Sequence, residues 1–355
     1  MIEAPHGSTP QRLESRATTA AILVFFATGV STIFAHPGGH IPLAGEGSIG
    51  NIAAWFAAGF GAFAFGASFV VETRHGHADW RDRLPLAKRL VDIAAMSLAM
   101  GMLGYLIVVA VAQLFQLGFF GMTVDPYGGG VLAGAAAAAV TYAASLAGAR
   151  VTSEGLAMLA TLVLFMGTMA SMLSSPDESW WQLHFSQLGN TEGIAANRFN
   201  LALITTGLVI TVLANYIGRD LELGMIERGK NPRKLAPTLS WLFAGIGLLL
   251  AVAGMVPDAV NIVVHVSAAS GMVVLFAVFA YVALRYLPQV PRDFMAFTIA
   301  VIIGIVVSVL LWVPIGYYNL TGMEFIAAGL LFAWLIVFVR MARVYSGEIT
   351  EAEYA

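Results

Sequence analysis

The chain has 355 residues, 59% of them apolar and only 11% charged, with a mean hydropathy of +0.81 and a formal net charge of −3. A soluble domain carries about a quarter charged residues, so this composition excludes a protein whose main solvent is water. The lack of any cysteine excludes disulfides, thiolate metal sites and cysteine nucleophiles together.

Apolar runs long enough to cross a ~30 Å hydrocarbon core as helices recur along the chain. Ten spans are expected, at 17–35, 51–71, 93–118, 128–149, 154–174, 194–217, 237–256, 259–284, 294–315 and 323–343. A β-barrel is not expected, because barrel strands alternate apolar and polar residues in segments of ~10. The first span follows Arg12 and Arg16, as a signal peptide would, but its apolar run exceeds a usual signal core of about 7–15 residues. It also lacks a small-x-small cleavage site, and it reads as an uncleaved helix. The fold class is therefore all-α and polytopic.

The connection after this span is HPGGH, 36–40. Its Pro-Gly-Gly forbids the helix that would bring His36 and His40 onto one face, so it reads as a turn first and a ligand pair second. HGH at 75–77 is a weak metal signal on its own, and with His6 it reads as solvated. Gly101 with Gly104, and Gly128 to Gly134 in the fourth span, speak for close helix packing rather than chemistry. DESWW, 177–181, fits the aromatic belt of a membrane interface and suggests a short interfacial or re-entrant helix.

HFSQLGNTEGIAANRFN, 184–200, runs into the sixth span and gathers unusual polarity. Arg198 reads either as a snorkelling side chain with its guanidinium at the headgroups, or as the partner of Glu192, Asp177, Asp258 or an anionic ligand. On the eighth span Asp258, Asn261, His265 and Met272 fall near one helical face. Such a face points at other helices or a water-filled cavity rather than at lipid. The stretch 184–200 is thus expected to be a folded wall of a polar pocket, with His184, Ser186, Arg198 and Asn200 near Asp258 and His265.

Orientation follows from charge. With the N-terminus inside, 17 of the 18 basic residues fall on the inner side, against one, Arg198, on the outer side with seven acids. Positive charge marks the cytoplasmic face, so both termini are expected in the cytoplasm and 184–200 outside. Two short similarities, one between 120–140 and 253–273 and one in position between HPGGH before the second span and HFSQLG before the sixth, suggest a parallel repeat. The N-terminal four-helix region, 1–150, would then be a degenerate copy of 151–290, which lies within a six-helix region, 151–355.

Ser186-Gln187-Leu188-Gly189, Phe199-Asn200, Pro257-Asp258 and His265 stand in the order found in the bacterial membrane family catalogued as domain of unknown function 998, which the chain resembles from about 155 to 345. The resemblance implies a polytopic helical architecture and no settled activity. A more distant similarity, to membrane hydrolases of the alkaline-ceramidase and progestin-receptor type, implies a serine, an aspartate and histidines about zinc, but the paired His-x-x-x-His helix of that group is missing.

Three functions stay open. The leading one is a non-enzymatic protein of the bacterial inner membrane whose outer polar pocket (His184, Ser186, Arg198, Asn200, Asp258, His265) binds a lipid or small ligand, or supports a membrane partner. The second is a transporter. The third is a metal-assisted lipid or amide hydrolase, with Ser186, Asp258 and His265 catalytic and zinc held among His36, His184, Asp258 and His265. No cofactor is expected under the leading reading, and no nucleic-acid binding.

Overall fold

A computed structural model describes residues 9–75, 80–190 and 193–347. Among these are ten helices long and apolar enough to cross a membrane. The chain is an all-α, multi-pass membrane protein. It divides into two compact units, Met1–Val151 and Thr152–Ala355. His6, His77 and Glu192 lie outside the described residues.

The first unit comprises α1 (Thr9–Ala35), α2 (Ile49–His75), α3 (Leu86–Gly118) and α4 (Pro126–Ala149). Helix α4 packs against both α1 and α2, and α3 packs against α2. Small residues allow the approach: Gly29 and Gly130 meet backbone to backbone, and a Cβ on Gly101 would run into the carbonyl of Ala58. HPGGH is a turn, with Gly38 at a φ of 86°. Beyond it, β1 (Ile41–Pro42) pairs antiparallel with β2 (Thr123–Val124), tying the α1–α2 and α3–α4 connections together. Asp125 caps α4 by accepting from the amides of Tyr127 and Gly128, and Pro126 occupies the first helical position.

The second unit comprises α5 (Ser153–Ser174), α6 (Ile194–Glu227), α7 (Leu235–Met255), α8 (Asp258–Tyr286), α9 (Arg292–Trp312) and α10 (Leu320–Tyr345). Helix α6 is its axis, packing on α5, α7 and α10, while α7 carries α8 and α10 carries α9. Gly207 and Gly247 form the α6–α7 crossing, each facing the other's carbonyl. Aromatic rings fill the contact of α8 with α9 and α10. Trp334 stacks on Phe338, Phe276 and Phe279 meet Trp334 edge-on, and the Trp334 indole N–H donates to Thr298 Oγ1 at 3.0 Å. At one end polar locks close the bundle. Arg343 pairs with Glu154 at 2.8 Å, the buried Ser153 hydroxyl donates to Asp220 at 2.7 Å, and the Arg228 guanidinium lies 3.8 Å from the centre of the Tyr345 ring. The α5–α6, α7–α8 and α9–α10 connections meet at the other end.

Candidate functional site

The α5–α6 connection is folded rather than loose. Asp177 starts it with an Asx-type turn, accepting from the Ser179 amide at 2.9 Å and the Ser179 hydroxyl at 2.8 Å. The hydroxyl of Ser179, and then its amide, hold the Asp177 carboxyl below its ordinary range. Two 3₁₀ turns follow, Trp180–Gln182 and Phe185–Gly189. They are held because Trp180, Leu188 and Phe199 make a small buried apolar cluster, with Phe185 and Leu203 packed against it. At DESWW, where a short interfacial or re-entrant helix is expected, the first of these turns begins at Trp180.

Polar bonds from three helices then fix the backbone. Asn200 of α6 donates to the Gly189 carbonyl at 3.0 Å. Asn319, at the start of α10, donates to the Trp181 carbonyl at 2.6 Å. The Phe185 amide donates to Glu324 Oε2 of α10 at 2.6 Å, and Asn190 Oδ1 accepts from the Ala259 amide of α8 at 3.2 Å.

The centre of the arrangement follows from Pro257. In a helix the Ala253 carbonyl would take the N–H of residue 257, but proline has none. The Val256 carbonyl also lacks its usual donor, since the Val260 amide turns back to Pro257 O. His265, buried in α8, reaches over and supplies both. Its Nδ1 lies 3.0 Å from Ala253 O and 3.0 Å from Val256 O. Carbonyl oxygens only accept, so Nδ1 carries the proton and, in the neutral ring, Nε2 is the acceptor. Ser186 Oγ is 2.8 Å from that Nε2 and donates its proton to it. Beside this pair, His184 Nε2 lies 3.3 Å from Asp258 Oδ2, with side chains 25% and 13% exposed. Glu324 stands within electrostatic reach of His184, His265 and Asp258.

Of the residues expected to meet, the structure joins His184 to Asp258 and Ser186 to His265. Asn200 acts on the backbone of the wall instead. Arg198 is buried, 6% exposed, and so does not snorkel to the headgroups. Two carboxylates suggested as its partners are engaged elsewhere, Asp177 by Ser179 and Asp258 by His184.

The single polar face drawn on the eighth span needs correction. Asn261 has φ −156° and ψ 98°, outside the helical region, and its Oδ1 accepts from the Val264 amide at 3.1 Å. It is the N-cap of the main body of α8, so helical spacing does not carry from Asp258 to His265. The zinc candidates do not form a set either. Both ring nitrogens of His265 are occupied, and among the described residues no three of His, Cys, Asp and Glu converge to hold a metal.

Glu324, Asn190 and Asn319 were not singled out from the sequence. Asn319 had a signal, since Asn-x-x-Gly at a helix start is a cap, and it accepts from the Gly322 amide at 3.0 Å. A groove of about 560 Å³ lies at the opposite helix ends of the second unit, lined by Lys230, Asn231, Lys234 and Tyr286 beside the α6–α7 and α8–α9 connections.

A family model described as protein of unknown function (DUF998) matches residues 158–341, slightly over half the chain. This bears out the resemblance drawn from the short elements at 186–189, 199–200, 257–258 and His265. No curated protein and no solved structure matches the chain.

Proposed function

The chain belongs to the DUF998 family, and from that premise we propose that it binds the polar head of a lipid, or of a small amphiphile, at the α5–α6 end of its second unit. We take this face to be the outer one, a reading supported by the concentration of basic residues on the opposite side.

One observation carries the reading. Two polar pairs, His184–Asp258 and Ser186–His265, stand at the mouth of the bundle with their outer members still reachable from solvent. A network needed only for packing has no reason to leave an imidazole and a carboxylate partly open at the membrane boundary. The surroundings suit an amphiphile. Trp181, Leu183 and Phe325 are exposed large apolar side chains around the polar group, and Phe185 stacks on Phe325 with ring centres 6.0 Å apart. Donors and an acceptor would then meet a headgroup while the apolar rim meets its chain.

The test uses purified full-length protein in detergent and a bacterial polar lipid extract fractionated by headgroup. A bound lipid stabilises the folded state by about 2.7 kcal/mol at one hundred times its dissociation constant. One fraction should therefore raise the unfolding temperature. In His184→Ala the half-saturating lipid concentration should rise roughly tenfold, as loss of about 1.4 kcal/mol of binding requires. An identical lipid response in the wild type and His184→Ala overturns the reading.

A further inference from the structure

We propose that Ser186 is a nucleophile for carboxylic esters, with the amphiphile held at this site as the acyl donor; this rests on the headgroup-binding reading and names its chemistry. The argument is one of direction. A serine beside a histidine is common, but here the direction of the hydrogen bond is fixed from behind. Backbone carbonyls hold the His265 proton on Nδ1, so Nε2 presents a lone pair to the Ser186 hydroxyl at 2.8 Å. That is the geometry of a general base poised on a nucleophile and oriented by a third group. In the familiar triad the third group is a carboxylate. Here it is the pair of carbonyls at the Pro257 turn, which fix the ring's orientation and tautomer.

The step balances without a co-reactant other than water. Ser186 Oγ bonds to the ester carbonyl carbon as its proton passes to His265 Nε2. The carbon–oxygen bond to the alcohol portion then breaks, and the departing oxygen takes the proton from Nε2. Water repeats the sequence against the acyl-serine, giving the free acid and restoring the hydroxyl. Ser186 itself is half-buried, whereas His265 is buried, so substrate reaches the hydroxyl and bulk water does not surround the base.

The probe is a long-chain alkyl fluorophosphonate, which loses fluoride when a serine oxygen attacks phosphorus. Wild-type protein in micelles should take up one equivalent, mapped by peptide mass to Ser186 and not to the exposed Ser179 seven residues away. The decisive variant is His265→Asn. Its amide Nδ2 stands near the former Nδ1 and keeps the donor to the carbonyls, but nothing replaces Nε2. It should fold, and its labelling rate should fall at least a hundredfold, the lower end of what a general base supplies. Labelling spread over Ser179 and other serines, or no adduct on Ser186, overturns the proposal using wild type alone. So does a His265→Asn protein labelled as fast as wild type. A protein that responds to lipid through His184 yet leaves Ser186 unlabelled sinks the nucleophile and leaves headgroup binding standing. Labelling of Ser186 with no lipid response would sink headgroup binding.

Discussion

Replacing His265 tests how the bundle end is held together, before any chemistry is asked of it. In His265→Leu the volume is nearly kept, but the Nδ1 proton shared by Ala253 O and Val256 O is lost, as is the acceptor for Ser186. Each lost hydrogen bond is worth about 1 kcal/mol net, and a buried polar group left without a partner adds about 1–3 kcal/mol. Ser186 is half-buried and can turn to water, so it adds little beyond its bond. The Ala253 carbonyl cannot do so, because Ala253 is buried and Pro257 has no N–H to take over. The expected loss is therefore about 3–5 kcal/mol, at the top of the range for a single substitution. His265→Asn keeps the cap and should lose only about 1 kcal/mol, and Ser186→Ala a similar amount. Unfolding of the purified protein by sodium dodecyl sulfate in mixed micelles, followed by tryptophan fluorescence, gives the three values on one scale. A His265→Leu protein within about 0.5 kcal/mol of wild type, the scatter expected of an ordinary surface change, would refute the capping argument. So would His265→Asn as damaging as His265→Leu.

Further outcomes follow from the same structure. Arg198→Ala empties a buried position and should destabilise by about 3 kcal/mol or more, whereas the exposed Arg150→Ala should stay within about 0.5 kcal/mol; equal effects in the same unfolding assay would show Arg198 to be a mere topology anchor. Gly247→Ala would place a Cβ 2.6 Å from the Gly207 carbonyl and 2.7 Å from the Thr211 amide, both backbone atoms, so the α6–α7 crossing must open, at about 1–3 kcal/mol, and a fully stable variant contradicts it. The Asp125 carboxyl is held below its ordinary value, first by the Gly128 amide. Its capping contribution is thus full above the ordinary carboxylate range and lost as pH falls through the lowered value; Asp125→Asn should flatten that region of a stability–pH profile, and an unchanged profile would remove the cap from the account. Reporter fusions after residues 45, 123, 180 and 319 should report the outside and those after 80 and 225 the cytoplasm, and reversal at 180 would move the whole site to the other face.

Much of the fold is legible in the sequence because a membrane asks a single question of each segment, whether about twenty residues can lie in hydrocarbon. All ten spans answer it. What hydropathy does not show is where a helix stops once it has left the hydrocarbon. The run at 194–217 belongs to a helix reaching Glu227, and that at 93–118 to one starting at Leu86. Arg219, Asp220, Arg89 and Asp92 are compatible with helix although not with lipid. Asn261 shows the opposite limit. Asparagine suits both a polar helical face and an N-cap, and only the neighbouring Pro257 turn decides for the cap. Glu324 was visible merely as one outer charge. Its partner is a backbone N–H 139 residues away, and a backbone group leaves no mark in the sequence.

The pairing of Ser186 with His265 was only half legible, for a related reason. Both residues could be marked as unusual, but the spacing that placed His265 beside Asp258 and Asn261 on one face is not the cause of the contact. The cause is Pro257. By denying a proton to the carbonyl of Ala253, it creates a demand that one ring nitrogen of His265 meets, and meeting it turns the other nitrogen into an acceptor. Ser186 then has a partner whose direction is set by the end of α7, not by α8. Structural capping and proton acceptance are therefore successive links of one hydrogen-bond chain, carried by opposite sides of one ring. Stability alone cannot separate them in a variant that removes the ring. An asparagine that keeps one nitrogen and omits the other can, and that is why its labelling rate, rather than its melting behaviour, bears on what the site does.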